Sequence, residues 1–265
     1  MAVEGAVGLA ASAVALAGLF NNAVQCFEYV RLGKGIGESF QTCQLKLDNA
    51  SLRLSRWGNS VGLSDGLSDG RVLRGSRDAG RTQKYLEHIL KLFEDAESVS
   101  KKFKHRKKPD DKSLITFNAG KDLDSASAQL HNKMRDLSMK RQNGQSHYRF
   151  HQMTKWALYE EKHFRQLIED LIGLINGLVE LYPASQESQR AICTAEASAF
   201  GTNEALPILR QIAAQQDKLL EEALSKTASE DKISHTITFS GNNNSGFQLG
   251  HNSGTLSGFM FGKGN

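Results

Sequence analysis

Proline is nearly absent. Pro109, Pro183 and Pro207 are the only three in 265 residues, and none falls in the first hundred. A proline inside a helix removes a hydrogen bond and clashes with the preceding turn, so this scarcity leaves long unbroken helices open to the chain. Cysteine is as scarce: Cys26, Cys43 and Cys193 are odd in number, far apart and form no CxxC pair. That argues against a disulfide-stapled secreted scaffold or a cysteine metal knuckle and favours a reducing, intracellular compartment. An excess of one charge is also missing. With 33 basic residues against 29 acidic ones the net charge is +4, a balance that does not announce a nucleic-acid partner. No phosphate-cradling glycine loop or supported catalytic triad occurs, so the chain reads as a non-enzyme without a cofactor.

The most pronounced lack is local. Residues 233–265, ISHTITFSGNNNSGFQLGHNSGTLSGFMFGKGN, carry a single full charge, Lys263. Within them Asn244, Gly246, Gln248, Gly250 and Asn252 mirror one another about Gln248, and Gly254 continues the series. Phe247 and Leu249 alternate with that set, and in an extended strand alternate residues face opposite sides. A lone segment of this kind buries too little surface to fold. Identical copies stacked in register would pair every backbone amide and build Asn and Gln ladders, as in a cross-β fibril. The same composition also suits a flexible polar spacer, and both readings stand at this level. The chain is accordingly divided into a helical domain, 1–227, and a disordered tail, 228–265.

What is present at the other end is an apolar run. Residues 5–27 hold no charge over 23 positions, and a membrane-crossing helix needs about 20. Gly5, Gly8, Leu9, Val14, Leu16, Leu19 and Phe20 are the candidate insertion residues, whereas Asn21, Asn22 and Gln25 make the final turn polar. Gly8 with Ser12 and Ala11 with Ala15 repeat small residues at a spacing that lets helices approach closely in lipid. A core helix of a soluble bundle would read the same way. Glu4 stands where a signal peptide wants Lys or Arg, which argues against export despite the Ala15-Leu16-Ala17 triplet. The protein is expected in the cytoplasm at rest.

Helices are expected at 38–57, an exposed-faced helix ending in Gly58; at 82–102; at 122–141; at 153–182, the spine of the core; and at 203–227. A short strand is expected at 114–117. Three chemical candidates carry little weight. The GLSD repeat at 62–70 matches GxSxG at Ser64 and Ser68, but a hydrolase elbow needs a strand before the serine. His147 and His151 lie four apart, and Glu160-x-x-His163 has a di-iron spacing without the second half such a site requires. The basic run of Lys101, Lys102, Lys104, Arg106, Lys107 and Lys108 suits a solvated helix end or an anionic surface.

Three stretches, LAGLFNNAVQCFEYVRLG (16–33), CQLKLDNASLRLSRWG (43–58) and KWALYEEKHFRQLIEDLIGLINGLVELYP (155–183), resemble the HeLo domain of fungal heterokaryon-incompatibility and cell-death proteins over roughly residues 1–225. The resemblance implies a mainly all-α, HeLo-like helical bundle with a small two-stranded β element and an amyloid-forming tail. It also implies a function in which templated assembly of the tail makes the domain release its N-terminal segment into membranes. The tail lacks the two imperfect charged repeats of the family's prion-forming members. It resembles instead a pseudopalindromic amyloid motif of other fungal death effectors, itself similar to the animal RHIM necroptosis motif. The implied partners are further copies of the chain, an NLR-type receptor with a matching motif and, on activation, plasma-membrane lipids. A prion-like adaptor without toxic activity is the alternative.

Overall fold

The computed structural model describes residues 3–64, 78–142 and 155–233, with side chains described from residue 14 onward except at 37–39 and 229–233. Among these residues lie nine α-helices and two short strands: α1 (Val3–Cys26), β1 (Val30–Leu32), α2 (Phe40–Ser60), α3 (Ala79–His105), α4 (Ala119–Asp122), α5 (Ser125–Lys140), β2 (Trp156–Leu158), α6 (Glu161–Leu181), α7 (Gln186–Phe200), α8 (Leu206–Gln216) and α9 (Lys218–Ile233).

The spine is α2, not the helix before Pro183. Cys43, Leu47, Ala50, Leu54 and Trp57 recur at helical spacing and join a core built with α1, α3 and α6. Leu45 and Leu52 lie on another face and join a second core with α5, α7, α8 and α9. A helix buried on two sides has little surface left for its charges, so Asp48, Asn49 and Arg56 are buried with it. The expectation of an exposed polar face for 38–57 is therefore corrected. Nor does the helix end at Gly58, because it runs on to Ser60.

In the first core α3 lies along α6. A Cβ on Gly177 would overlap the Tyr85 ring, so the glycine is what lets these two helices approach closely. Thr82 and Tyr182 share a 2.7 Å hydrogen bond where α3 begins and α6 ends. Two further boundaries differ from expectation. Trp156–Leu158, expected inside the helix, pairs in parallel with Val30–Leu32 as the small β element, and α6 starts only at Glu161. Residues 114–117 are not a strand: Lys112–Leu114 is a 3-10 turn, and only Thr116 makes a single antiparallel bridge, to Gly33.

Further along, Asp124 accepts a hydrogen bond from the Ser127 backbone N–H and so starts α5 afresh inside the helix expected over 122–141. The helix expected over 203–227 is two, broken at Asp217, whose backbone (φ −154°, ψ 78°) is extended. α7 was not expected at all, since its buried positions include Gln189, Cys193, Glu196 and Ala197, a pattern without a marked apolar stripe.

Candidate functional site

Helix α1 is seated by one stripe of side chains. Leu16, Phe20, Ala23 and Val24 are buried on that stripe, and Phe27 just after the helix joins them. Phe20, 0% exposed, meets Trp57 edge-on at 6.3 Å between ring centres, and Phe27 meets Phe93 edge-on at 5.0 Å. The Phe20 ring occupies the space where any Cβ on Gly58 would stand, so the glycine is the floor of its seat. Burying such a ring stabilises the docked helix by about 1.5–3 kcal/mol.

The grip is uneven along the helix. Val14 is 50% exposed and Ala15 is exposed, so the buried stripe described here begins at Leu16. Toward the other end Asn21 and Asn22 are buried, and Asn21 Oδ1 has no hydrogen-bond partner. An orphaned buried acceptor costs about 1–3 kcal/mol, which offsets part of the apolar gain. Cys26 on the same helix is inert: burial, then the charges of Glu94 and Glu97, push its thiol up to about 12.

Two residues before Gly58, Arg56 faces the other core. Its Nε and Nη2 donate to Glu196 Oε2 at 3.0 and 2.6 Å, and its Nη1 donates to Asp217 Oδ1 and Oδ2 at 3.0 and 2.8 Å. All three side chains are almost wholly buried. Burial alone would depress Arg56, but Asp217 and then Glu196 outweigh it and the guanidinium is held firmly protonated. Arg141 Nη1 lies 2.6 Å from Glu196 Oε1 without pointing an N–H at that oxygen, and serves as a second counter-charge. Arg53 donates to the Gln216 carbonyl at 2.6 Å. The junction of α8 and α9 is thus pinned to α2 through Gln216 and Asp217, and α9 is the helix that leads into the tail.

Of the residues singled out in the sequence, Leu16 and Phe20 lie in this seat and Leu19 is half-buried beside it. Gly5, Gly8 and Leu9 lie in α1, but their side chains are outside those described. Asn244, Gly246, Phe247, Gln248, Leu249, Gly250, Asn252 and Gly254 lie outside the described residues, as do Ser68, His147 and His151. Ser64 follows helix α2 and a turn rather than a strand, which is not the geometry of a nucleophile elbow. His163 Nδ1 stands 3.2 Å from Glu160 Oε2, and among the described residues no group of three His, Cys, Asp or Glu could hold a metal. Among them, too, no helix is long and apolar enough to cross a membrane.

Arg56, Glu196, Asp217 and Gly58 were not anticipated as site residues. A signal for Arg56 existed in the sequence: Leu45, Asn49, Leu52 and Arg56 fall on one stripe distinct from that of Leu47, Leu54 and Trp57, the mark of a helix with two buried faces.

Comparison with known proteins agrees with this architecture. The sequence profile of the HeLo family, described as prion-inhibition and propagation, matches residues 8–220. A second profile, the SesB domain on fungal death-pathway protein, matches residues 234–258, which include the mirrored stretch around Gln248. Heterokaryon incompatibility protein S of Podospora anserina is 35% identical over 175 residues, 66% of this chain and 58% of that protein's length. Heterokaryon incompatibility protein s of Podospora anserina is 32% identical over 216 residues, 82% of this chain and 72% of that protein. The solved HET-S N-terminal domain superposes with a TM-score of 0.72 at 30% identity, covering 82% of this chain and 94% of that one. A substituted HET-s N-terminal domain gives 0.71 at 30% identity, covering 81% and 98%.

Proposed function

The chain belongs to the HeLo family, and from that premise we propose that it is an executioner of fungal regulated cell death and heterokaryon incompatibility, switched on through its tail. At rest α1 is docked on α2 and α3. When the motif centred on Gln248 joins a cross-β seed, supplied by an NLR-type receptor or by fibrils of like chains, crowding strains the α8–α9 junction. α1 is then released to enter the plasma membrane and permeabilise it. The chemistry is assembly and insertion rather than catalysis.

One observation carries this reading: the seat of α1 and the anchor of the helix that leads into the tail are next to each other on α2. Gly58 floors Phe20, while Arg56 holds Asp217 at the start of α9. Displacing Asp217 would leave a buried guanidinium without one of its two partners, a disturbance of several kcal/mol one turn or less from the Phe20 seat. Tethering on a fibril raises the effective concentration of neighbouring domains and favours joint insertion.

The 16 positions from 5 to 20 make a helix of about 24 Å, against a hydrocarbon core of ~30 Å. Insertion of so short a segment thins the bilayer or draws copies together. The absence, among the described residues, of a helix apolar enough to cross a membrane is what favours the second reading, a prion-like adaptor that assembles without toxicity. Dye release from anionic vesicles, with and without preformed fibrils of residues 230–265, separates them: an adaptor gives co-assembly and no release.

A further inference from the structure

The positive charge of the chain is gathered at one end of the bundle. Residues 101–112, KKFKHRKKPDDK, hold seven basic residues and two acidic ones, a net +5, whereas the whole chain carries +4, so all the rest nets −1. A helix dipole draws cations only to the last turn. Here α3 ends at His105, and Lys107, Lys108 and Lys112 stand past it. Two ion pairs cover little of this charge, Lys101 with Glu97 at 2.9 Å and Lys107 with Asp111 at 3.5 Å, and Lys102, Lys104, Arg106 and Lys108 are exposed.

An apolar side chain stands among these cations. Among the described residues Val14 and Ile115 are the exposed large apolar side chains, and Ile115 is 46% exposed. Its backbone N–H donates to the Lys112 carbonyl at 3.2 Å, and its carbonyl accepts from the Lys34 N–H at 2.8 Å. Gly33, before Lys34, lies against Tyr159; Tyr159 stacks on Phe103 at 5.0 Å, and Lys107 lies 5.5 Å from the centre of the Phe103 ring. The Ile115 loop, Lys34 and the end of α3 are thus one continuous surface. It also holds the root of α1. Phe20 meets Trp57, whose neighbour Tyr182 is bonded to Thr82 near the start of α3, whereas Phe27 meets Phe93 further along. α1 and α3 therefore run the same way, and the chain leaves α1 through Phe27–Tyr29 toward Gly33 and Lys34 at the basic end.

We propose that the basic end of α3, with Lys34 and Ile115, is a docking surface for an anionic lipid bilayer, which seats the resting bundle with the root of α1 against the headgroups. Cations spread over exposed side chains, rather than gathered in a pocket, suit a two-dimensional array of anionic headgroups. The apolar Ile115 among them suits the boundary just beneath. The proposal rests on the reading that the chain acts at a membrane, and adds that docking precedes release of α1 and needs no fibril.

The experiment is sedimentation of the full chain, without fibrils, with vesicles of phosphatidylcholine that contain or lack phosphatidylserine. Binding is expected only with phosphatidylserine, and it should fall as salt is raised. A cation near such a surface is worth about fivefold, so Lys102→Gln, Lys104→Gln, Arg106→Gln and Lys108→Gln combined should weaken binding at least about a hundredfold. Ile115→Ser should weaken it several-fold and leave the salt dependence unchanged. As many charges removed at exposed positions elsewhere, by Lys84→Gln, Lys140→Gln, Arg210→Gln and Lys218→Gln, should change it little, because charges more than a Debye length of about 10 Å from the bilayer are screened. Val14→Lys should bind as the parent does. Binding that needs no phosphatidylserine, an equal loss in the two combined variants, or no loss in the first with an unchanged melting temperature would overturn the proposal, as would capture by random duplex RNA without binding to vesicles. Binding followed by no leakage when fibrils are added supports docking and contradicts insertion, whereas fibril-dependent leakage undiminished in the first combined variant contradicts docking alone.

Discussion

Arg56, Trp57 and Gly58 are consecutive, and each answers to a different part of the chain: Arg56 to Glu196 and Asp217, Trp57 to Phe20 and Tyr182, Gly58 to the Phe20 ring. Single substitutions here should therefore act at a distance. Gly58→Ala puts a methyl group where Phe20 sits, so Phe20 is expelled. The expected result is a loss of about 1.5–3 kcal/mol in urea unfolding and faster hydrogen exchange at residues 16–26, with the second core unaffected. Arg56→Met leaves Glu196 and Asp217 as buried carboxylates without their shared cation, and should cost about 3–5 kcal/mol. Replacing all three by apolar residues of similar volume should restore most of that loss, because a satisfied ion cluster and a packed apolar one are close in stability.

The Asp48–His131 pair predicts a pH dependence. Burial raises Asp48, and although burial alone would lower His131, the hydrogen bond and charge of Asp48 lift it above its ordinary 6.5. Glu28 adds to that lift, whereas Arg135 opposes it. Both groups hold protons more tightly in the folded state. Their stabilisation is thus complete at low pH and lost as pH rises through the raised values. The melting temperature should fall as pH rises from about 6.5 through the raised His131 value, and His131→Gln should flatten that fall.

At the level of elements, α1 is both the best-read and the most consequential. Its apolar run, its start and its end were legible, because an uncharged stretch of that length has few alternatives. The same holds for α3 and for the body of α6, where the apolar period is strong. Elements that rest on polar burial were not legible. α7 presents Gln189 and Glu196 to the interior, and the break between α8 and α9 exists because Asp217 turns inward to Arg56. A charged residue in sequence argues for solvent until its partner, 161 positions away, is known. Trp156–Leu158 escaped for another reason: a short apolar run next to a helix fits either state, and only pairing with β1 decides it. Gly58 looked like a helix stop, whereas its role is close approach.

The burial of α1 also dictates how insertion is to be tested. A charge at Leu16 would disturb docking as well as insertion, since Leu16 is 3% exposed, but Val14 is 50% exposed. Val14→Lys should leave the unfolding free energy within about 0.5 kcal/mol of the parent. It should sharply reduce vesicle leakage, because a cation in the hydrocarbon core costs about 3 kcal/mol on insertion scales.

The whole molecule has a docked apolar helix at one end and a stretch matched by a fungal death-pathway profile at the other. Between them lies a two-core bundle that shares its fold with the HET-S N-terminal domain. The proposal places the switch in that bundle, at the α2 turn that touches both the α1 seat and the α8–α9 junction. The most direct test is dye release from anionic vesicles by the full chain, measured before and after adding preformed fibrils of residues 230–265. Little release is expected without fibrils, rapid release with them, and sharply reduced release from Val14→Lys with fibrils although it still joins them. Release that is the same with and without fibrils, or undiminished in Val14→Lys, would contradict that expectation.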